Sequence, residues 1–279
     1  AKARTFWVAA AAGTVTFGGL MGTMFIGQQF TQNVLGYSAL EGATMQLPMP
    51  IFMFISSLFA ARLMAAKGSR ITFAAGLATL VLAFLWILVF WGVSVATFHV
   101  LFAYTLVVVV VGLSITPASK SLMASLPASR AGMGSAFTDL TRDFGGSVMN
   151  AVMGSALAVA YSAALTKVLN TLTPTQSAEL GTAATQEMLG SFEGAQEVAR
   201  GYPADVGNQI ISAASQAFVD GKTWAVSIAM VLAVGATVLV LVAYPRKRAE
   251  QAFFAEIAAE NAQAAADRHN EAPATSAQQ

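Results

Sequence analysis

Across residues 71–91 no side chain carries a charge. A helix needs about 20 mainly apolar residues to cross the hydrocarbon core of a bilayer, and this run is long enough. Five more stretches share its character: 6–26, 43–61, 97–118, 134–165 and 223–244. Within 134–165, the part without charge is 144–165, and a polar-faced start reaches back to Gly134. Backbone groups in lipid must be satisfied within the segment or within a closed barrel. Runs this long and uniformly apolar lack the short alternation of barrel strands. The expected fold is therefore an all-α integral membrane protein, a six-helix bundle spanning residues 1–248.

Composition agrees. Only 10% of residues are charged and 56% are hydrophobic, whereas a soluble domain carries about 25% charged residues. The net charge of +1 and the lack of a dense Lys/Arg block give no footing for a nucleic-acid partner. Without cysteine there is no disulfide framework and no thiolate metal site. His99 and His269 are too far apart to form a metal pair, so neither metal nor cofactor is expected. The chain opens on Ala1 rather than Met, and Lys2 and Arg4 lead straight into the first run. It is expected to begin inside a longer protein.

Lys and Arg orient the spans. Lys2, Arg4, Arg62, Lys67, Arg70, Lys120, Arg130, Arg246, Lys247 and Arg248 fall on one side, while loops 27–42 and 92–96 contain neither residue type. Both termini are thus expected in the cytoplasm of a bacterial-type cell, with the plasma (inner) membrane crossed six times. Residues 166–222 form a long outer loop, where the spacing of Val206, Ile210, Ile211, Ala214 and Phe218 suits a helix lying on the outer face. The tail 249–279 is expected to be helical, then disordered.

One charged cluster interrupts this pattern. With Asp139 as zero on a helical wheel, Asp143 falls at about 40°, Asn150 at about 20°, Gly146 at about −20° and Arg142 at about −60°. Arg142 is spaced to pair with either acid. Two readings stand. If 144–165 alone spans, the charges form a snorkelling group at the cytoplasmic rim. If the span starts at 134, this line faces the bundle or a water-filled cavity, because a lipid-facing charge near mid-membrane costs about 2.5–3.5 kcal/mol. Asn150, deeper on the same line, favours the cavity.

Lesser features have plainer readings beside functional ones. Gly221-Lys222-Thr223 lacks the upstream glycine of a phosphate-binding loop, since that position is Gln216. His99 reads as a packed interfacial histidine before a proton relay. Glu41 could admit protons, but a helix N-terminal charge explains it better. Gln28, Gln29 and Gln32 suit an outer vestibule or headgroup depth equally. Met21, Met24, Met45, Met49 and Met53 suit a pocket that repacks around varied ligands or ordinary lipid contact.

Three stretches carry a family resemblance: "QNVLGYSALEGATMQLP" (32–48), "AARLMAAKGSR" (60–70) and "SRAGMGSAFTDLTRDFGGSVMNAVMGS" (129–155). In order and spacing the chain resembles the C-terminal half of a major facilitator superfamily transporter of the fourteen-span drug:proton antiporter subfamily. The resemblance implies multidrug efflux by proton-coupled antiport and alternating access, with amphipathic small molecules and protons as partners alongside a missing N-terminal half. The candidate substrate and proton pathway takes Asp139, Arg142, Asp143, Gly146 and Asn150 from the helical line, where Arg142 matches the family, with Gln32 and Glu41 from the outer connection; the resemblance implies a cytoplasmic gate loop built on Arg62, Lys67, Gly68 and Arg70. The chain departs from the family at Ala65 and Ala66, where an acid and an arginine are usual, and at Asp139 and Asp143, where amides are usual. The rival expectation is a truncated or regulatory membrane module without transport of its own. An intramembrane enzyme is not expected, because no metal pair, Ser/His set or paired aspartyl motif is present.

Overall fold

The computed structural model describes residues 2–124, 131–170, 174–247 and 249–252, with isolated positions at 255, 259 and 263. The expectations for Arg130, Arg248 and nearly all of the tail lie outside them. Among the described residues all regular structure is helical: α1 Lys2–Gln29, α2 Ala39–Thr44, α3 Met49–Lys67, α4 Ser69–Phe90, α5 Thr97–Ala124, α6 Ala131–Leu169, α7 Pro174–Gly190, α8 Phe192–Arg200 and α9 Ala204–Ala243. Six helical stretches are long and apolar enough to cross a membrane, with α1 carried on to Val34 by a wide π-turn at Phe30–Val34. The start of α1 (Val8, Ala9) packs with Phe73 of α4 and Tyr244 just beyond α9. This is the terminal end of the bundle. At the opposite, cap end, α7, α8 and the first turns of α9 form a helical layer.

Local chemistry sets the boundaries. Gly68 adopts φ 85° and its N–H closes α3 on the Met64 carbonyl at 2.9 Å. A left-handed residue there lets α4 start at once in the reverse direction, and glycine takes that conformation without strain. α2 opens with a capping box: Ser38 Oγ accepts from the Glu41 N–H at 3.2 Å and the Ser38 N–H donates to Glu41 Oε2 at 2.8 Å. Ser191 caps α8 by accepting from the Gly194 N–H at 3.0 Å.

The last helix differs in extent from the apolar run at 223–244, beginning instead at Ala204. Ile210, Ala214 and Phe218, on the face expected to lie along the outer surface, are buried against the cap and continue in register into the span. A helix already capped and packed has no reason to stop where its composition changes.

The larger core lies toward the cap end, around Phe30, Phe84, Trp91, Tyr104, Met153 and Phe218. Phe30 stacks on Trp91 with ring centroids 4.9 Å apart. His99 is packed as well: its ring stacks on Phe90 at 4.6 Å, and its carbonyl accepts from the indoles of Trp86 and Trp91.

Lys222 lies within this core at 1% exposure. Its Nζ donates to the carbonyls of Trp91 at 2.8 Å and Ile87 at 3.3 Å. Both lie at the C-terminal end of α4, which attracts positive charge; the Ile87 carbonyl also accepts from the Trp91 N–H at 3.1 Å, whereas the Trp91 carbonyl lies past the last turn and has no donor within the helix. Replacing Lys222→Met is expected to leave the buried Trp91 carbonyl unsatisfied and lower stability by about 1–3 kcal/mol, measurable as a shift in the denaturant midpoint of the detergent-solubilised protein.

Candidate functional site

Close approach of α1 and α6 builds the site. A Cβ on Gly18 would stand 2.7 Å from the Gly145 carbonyl oxygen, and one on Gly145 would collide with the Thr14 backbone. Small residues let two helices meet backbone to backbone where no hydrophobic force drives them together. The contact continues toward the cap end through Met149 and Met153, which fill the space beside Gly22. Gly146, one of the sequence-derived site residues, is buried against Met21.

The remaining polar residues lie beside this seam. Asp139, Arg142 and Asp143 are exposed, and Asn150 is half-buried, with its side-chain oxygen buried and unpartnered. The structure therefore keeps Asp139, Asp143 and Asn150 on one line of α6 but does not enclose that line within this chain. Nor does Arg142 pair with the acids, although the spacing permits it. Its guanidinium carbon instead stands 5.6 Å from the centroid of the Phe17 ring on α1, a contact worth about 0.5–1 kcal/mol at an exposed site. Both carboxylates are left without an ion pair among the described residues.

Toward the cap end the α1–α6 seam reaches a hollow of about 270 Å³. Phe25, Gln29, Gly154, Tyr161, Phe192 and Glu193 are among its walls. Gly154 is one helical turn beyond Asn150. The Tyr161 hydroxyl holds the hollow's roof, donating to the Met188 carbonyl at 3.1 Å. Asn33 Nδ2 donates to Glu193 Oε1 at 3.1 Å, tying the end of α1 to the cap. Gln32 lies in the π-turn beside Asn33 and is half-buried. Glu41 is exposed, with its carboxylate engaged by Ser38, and it lies on α2 rather than on the α6 line.

At the terminal end the gate-loop residues separate. Arg62 and Lys67 are exposed on α3. Gly68 makes the turn described above. The Arg70 guanidinium donates to the Leu241 carbonyl on α9. The chain after α9 then returns to this loop. Lys247 Nζ donates to the Ala65 and Ala66 carbonyls at 2.7 and 3.0 Å, capping α3. Glu250, 3% exposed, accepts from the N–H of Ser69 at 3.0 Å and from its hydroxyl, and lies 3.7 Å from Lys120 Nζ. Carboxylates favour helix N-termini, so Glu250 anchors α4 as Lys247 anchors α3. Sequence reasoning used Lys247 only to orient the spans and gave Glu250 no role. Their one legible trace was position: a cation and an acid close behind the last span.

No family model matches the chain. It is similar to the multidrug efflux pump LfrA of Mycolicibacterium smegmatis, with 30% identity over 229 residues, or 82% of this chain and 43% of that protein. It is also similar to the multidrug resistance protein Stp of Mycobacterium tuberculosis, in both strain CDC 1551 / Oshkosh and strain H37Rv. There the identity is 34% over 158 residues, 57% of this chain and 29% of that protein. The chain spans less than half the length of these curated relatives. Six membrane-length helices and similarity to bacterial efflux pumps mark it as a multi-pass protein of a bacterial inner membrane.

The α1–α6 seam gives a paired test. Gly145→Ala forces a methyl group against the Thr14 backbone, while Gly235 of α9 has nothing within 4 Å of a Cβ. Overpacking costs about 1–3 kcal/mol, whereas alanine for glycine in an open helix gains about 0.5–1 kcal/mol. Thermal unfolding in detergent should therefore move down for Gly145→Ala and stay level or rise for Gly235→Ala.

Proposed function

We propose that this chain is the C-terminal half of a secondary active multidrug transporter of the major facilitator kind, exporting amphipathic small molecules in exchange for protons. One observation carries the reading: Asp139 and Asp143, with Arg142 beside them, are exposed on a membrane-length helix, and Asn150 on the same line is only half-buried. Charge on a transmembrane helix is costly unless it meets protein or enclosed water. A second bundle facing α6 supplies that enclosure, and the relatives' greater length leaves room for one.

Burial supports the same arrangement. In the most apolar stretch of each span, 17% of Ala39–Lys67 and 28% of Gly132–Leu169 is buried, against 56% of Thr5–Val34 and 50% of Thr97–Ser121. The two least covered spans, containing α3 and α6, are the ones that a partner bundle would cover. In this arrangement the terminal end, rich in Lys and Arg, is cytoplasmic, and the cap end is outside. The pathway runs along the α6 line to the hollow at Glu193. Arg142 and the two acids set its electrostatics and Asn150 offers hydrogen bonds. Arg62, Lys67, Gly68 and Arg70 form the inner gate loop, held by Lys247 and Glu250. Alternating access then rocks one bundle against the other.

Flux through proteoliposomes of the complete protein tests this. An outward-directed drug flux that rises with an opposing proton gradient is expected, together with its loss in Arg142→Ala at unchanged protein yield. Flux indifferent to the gradient removes the antiport mechanism, and full flux in the variant removes the role given to Arg142.

A further inference from the structure

At the terminal end, α4, α9 and the chain after it enclose a hollow of about 340 Å³ lined by Lys67, Arg70, Ile71, Leu241, Arg246 and Lys247. Four of its six lining residues are cations and none is an acid. Glu250, the nearby buried carboxylate, is committed to Ser69 and Lys120. Arg70 and Lys247 donate to carbonyls, which fixes their positions without cancelling their charge. Among the described residues the buried Nε of Arg70 has no hydrogen-bond partner. Lys67 and Arg246 are exposed and have no acidic neighbour within salt-bridge distance among the described residues. A concavity of fixed and mobile cations with an unused guanidinium donor matches a phosphate oxyanion, which guanidinium binds through parallel hydrogen bonds.

The apolar part of the lining narrows the source. Ile71 and Leu241 are each 40% exposed beside the cations. Above Ile71, Ala78 and Leu82 continue an exposed line along α4, and above Leu241, Val238 and Val234 do so along α9. The two helices pack together, so their junction offers an apolar track leading away from the charged hollow along the membrane normal. A free phosphate has no use for such a track, but an acyl chain does.

We propose that this hollow is a binding site for an anionic phospholipid, with the headgroup phosphate held by Lys67, Arg70, Arg246 and Lys247 and an acyl chain lying along the α4–α9 junction. Basic hollows between spanning helices at the membrane surface are suited to such headgroups. The site needs no partner bundle and does not rest on the transport reading. Its bound lipid would bridge the gate loop before α4 to the segment after α9, adding to the anchor that Lys247 already provides.

Native mass spectrometry of the purified protein with added phosphatidylglycerol, phosphatidylcholine or inorganic phosphate tests the site. Phosphatidylglycerol should bind in preference to phosphatidylcholine, and Lys67→Gln/Arg246→Gln should weaken it about tenfold or more. A charge-matched control at the cap end, Lys167→Gln/Arg200→Gln, should leave that binding unchanged. Among the described residues the side chains of Lys67 and Arg246 make no hydrogen bond, so the first variant should keep the parent's unfolding midpoint. Equal binding of the two lipids overturns the site, as does equal weakening by both variants. Displacement of the lipid by millimolar inorganic phosphate overturns the acyl track and leaves an anion site only.

Discussion

Every backbone N–H and C=O in hydrocarbon must find a partner, and the rest of this structure follows from that constraint. Within the helices the ladder satisfies it. At the helix ends it does not, and there the chain spends its few charges. Lys222 meets the open Trp91 carbonyl at the end of α4, Lys247 the last carbonyls of α3, and Glu250 the first N–H of α4. In a chain with 10% charged residues, three of them serve as helix caps that tie distant segments together. The α3–α4 turn, only one glycine wide, is thereby clamped by residues about 180 positions later in the sequence.

Satisfying the backbone also explains where the polar side chains are left. α1 and α6 come together through glycines, a seam that needs no ion pair. Asp139, Asp143 and Asn150 sit beside that interface and Arg142 turns onto Phe17. The polar line consequently has no structural task within the chain. A costly feature without a structural task is where function belongs in a membrane protein, and the hollow at Glu193 continues the same seam toward the cap. The terminal end carries the converse pattern, with charges that hold the loop and a cationic hollow with no acid among the described residues that line it.

The sequence made the six helices legible because periodicity hardly matters when a run is apolar throughout; length alone identifies it. It also placed Asp139, Asp143 and Asn150 on one line, since the helical repeat is fixed. It could not set the start of α9, because the amphipathic segment around Ile210 and the span beyond share one helix without a break in pattern. Lys222 was invisible for a related reason. In sequence it follows a glycine at the edge of a loop, and only the tertiary approach of α4 turns it into a cap. Arg142 was misjudged in one respect: spacing along a helix permits an ion pair, but the neighbouring helix offered an aromatic ring. Partners recruited from far along the chain, such as Glu250 for Ser69, leave no local signal.

The account stands or falls on the surroundings of the α6 line. Since the chain has no cysteine, single thiols can be placed in the complete protein, cleared of any others, and probed in membranes with a water-soluble maleimide. Asn150→Cys should react, and Val148→Cys, nearly opposite on the same helix, should be spared. An Asn150→Cys thiol as inert as one at Val148 would place the polar line against lipid or dry protein and contradict the proposed pathway.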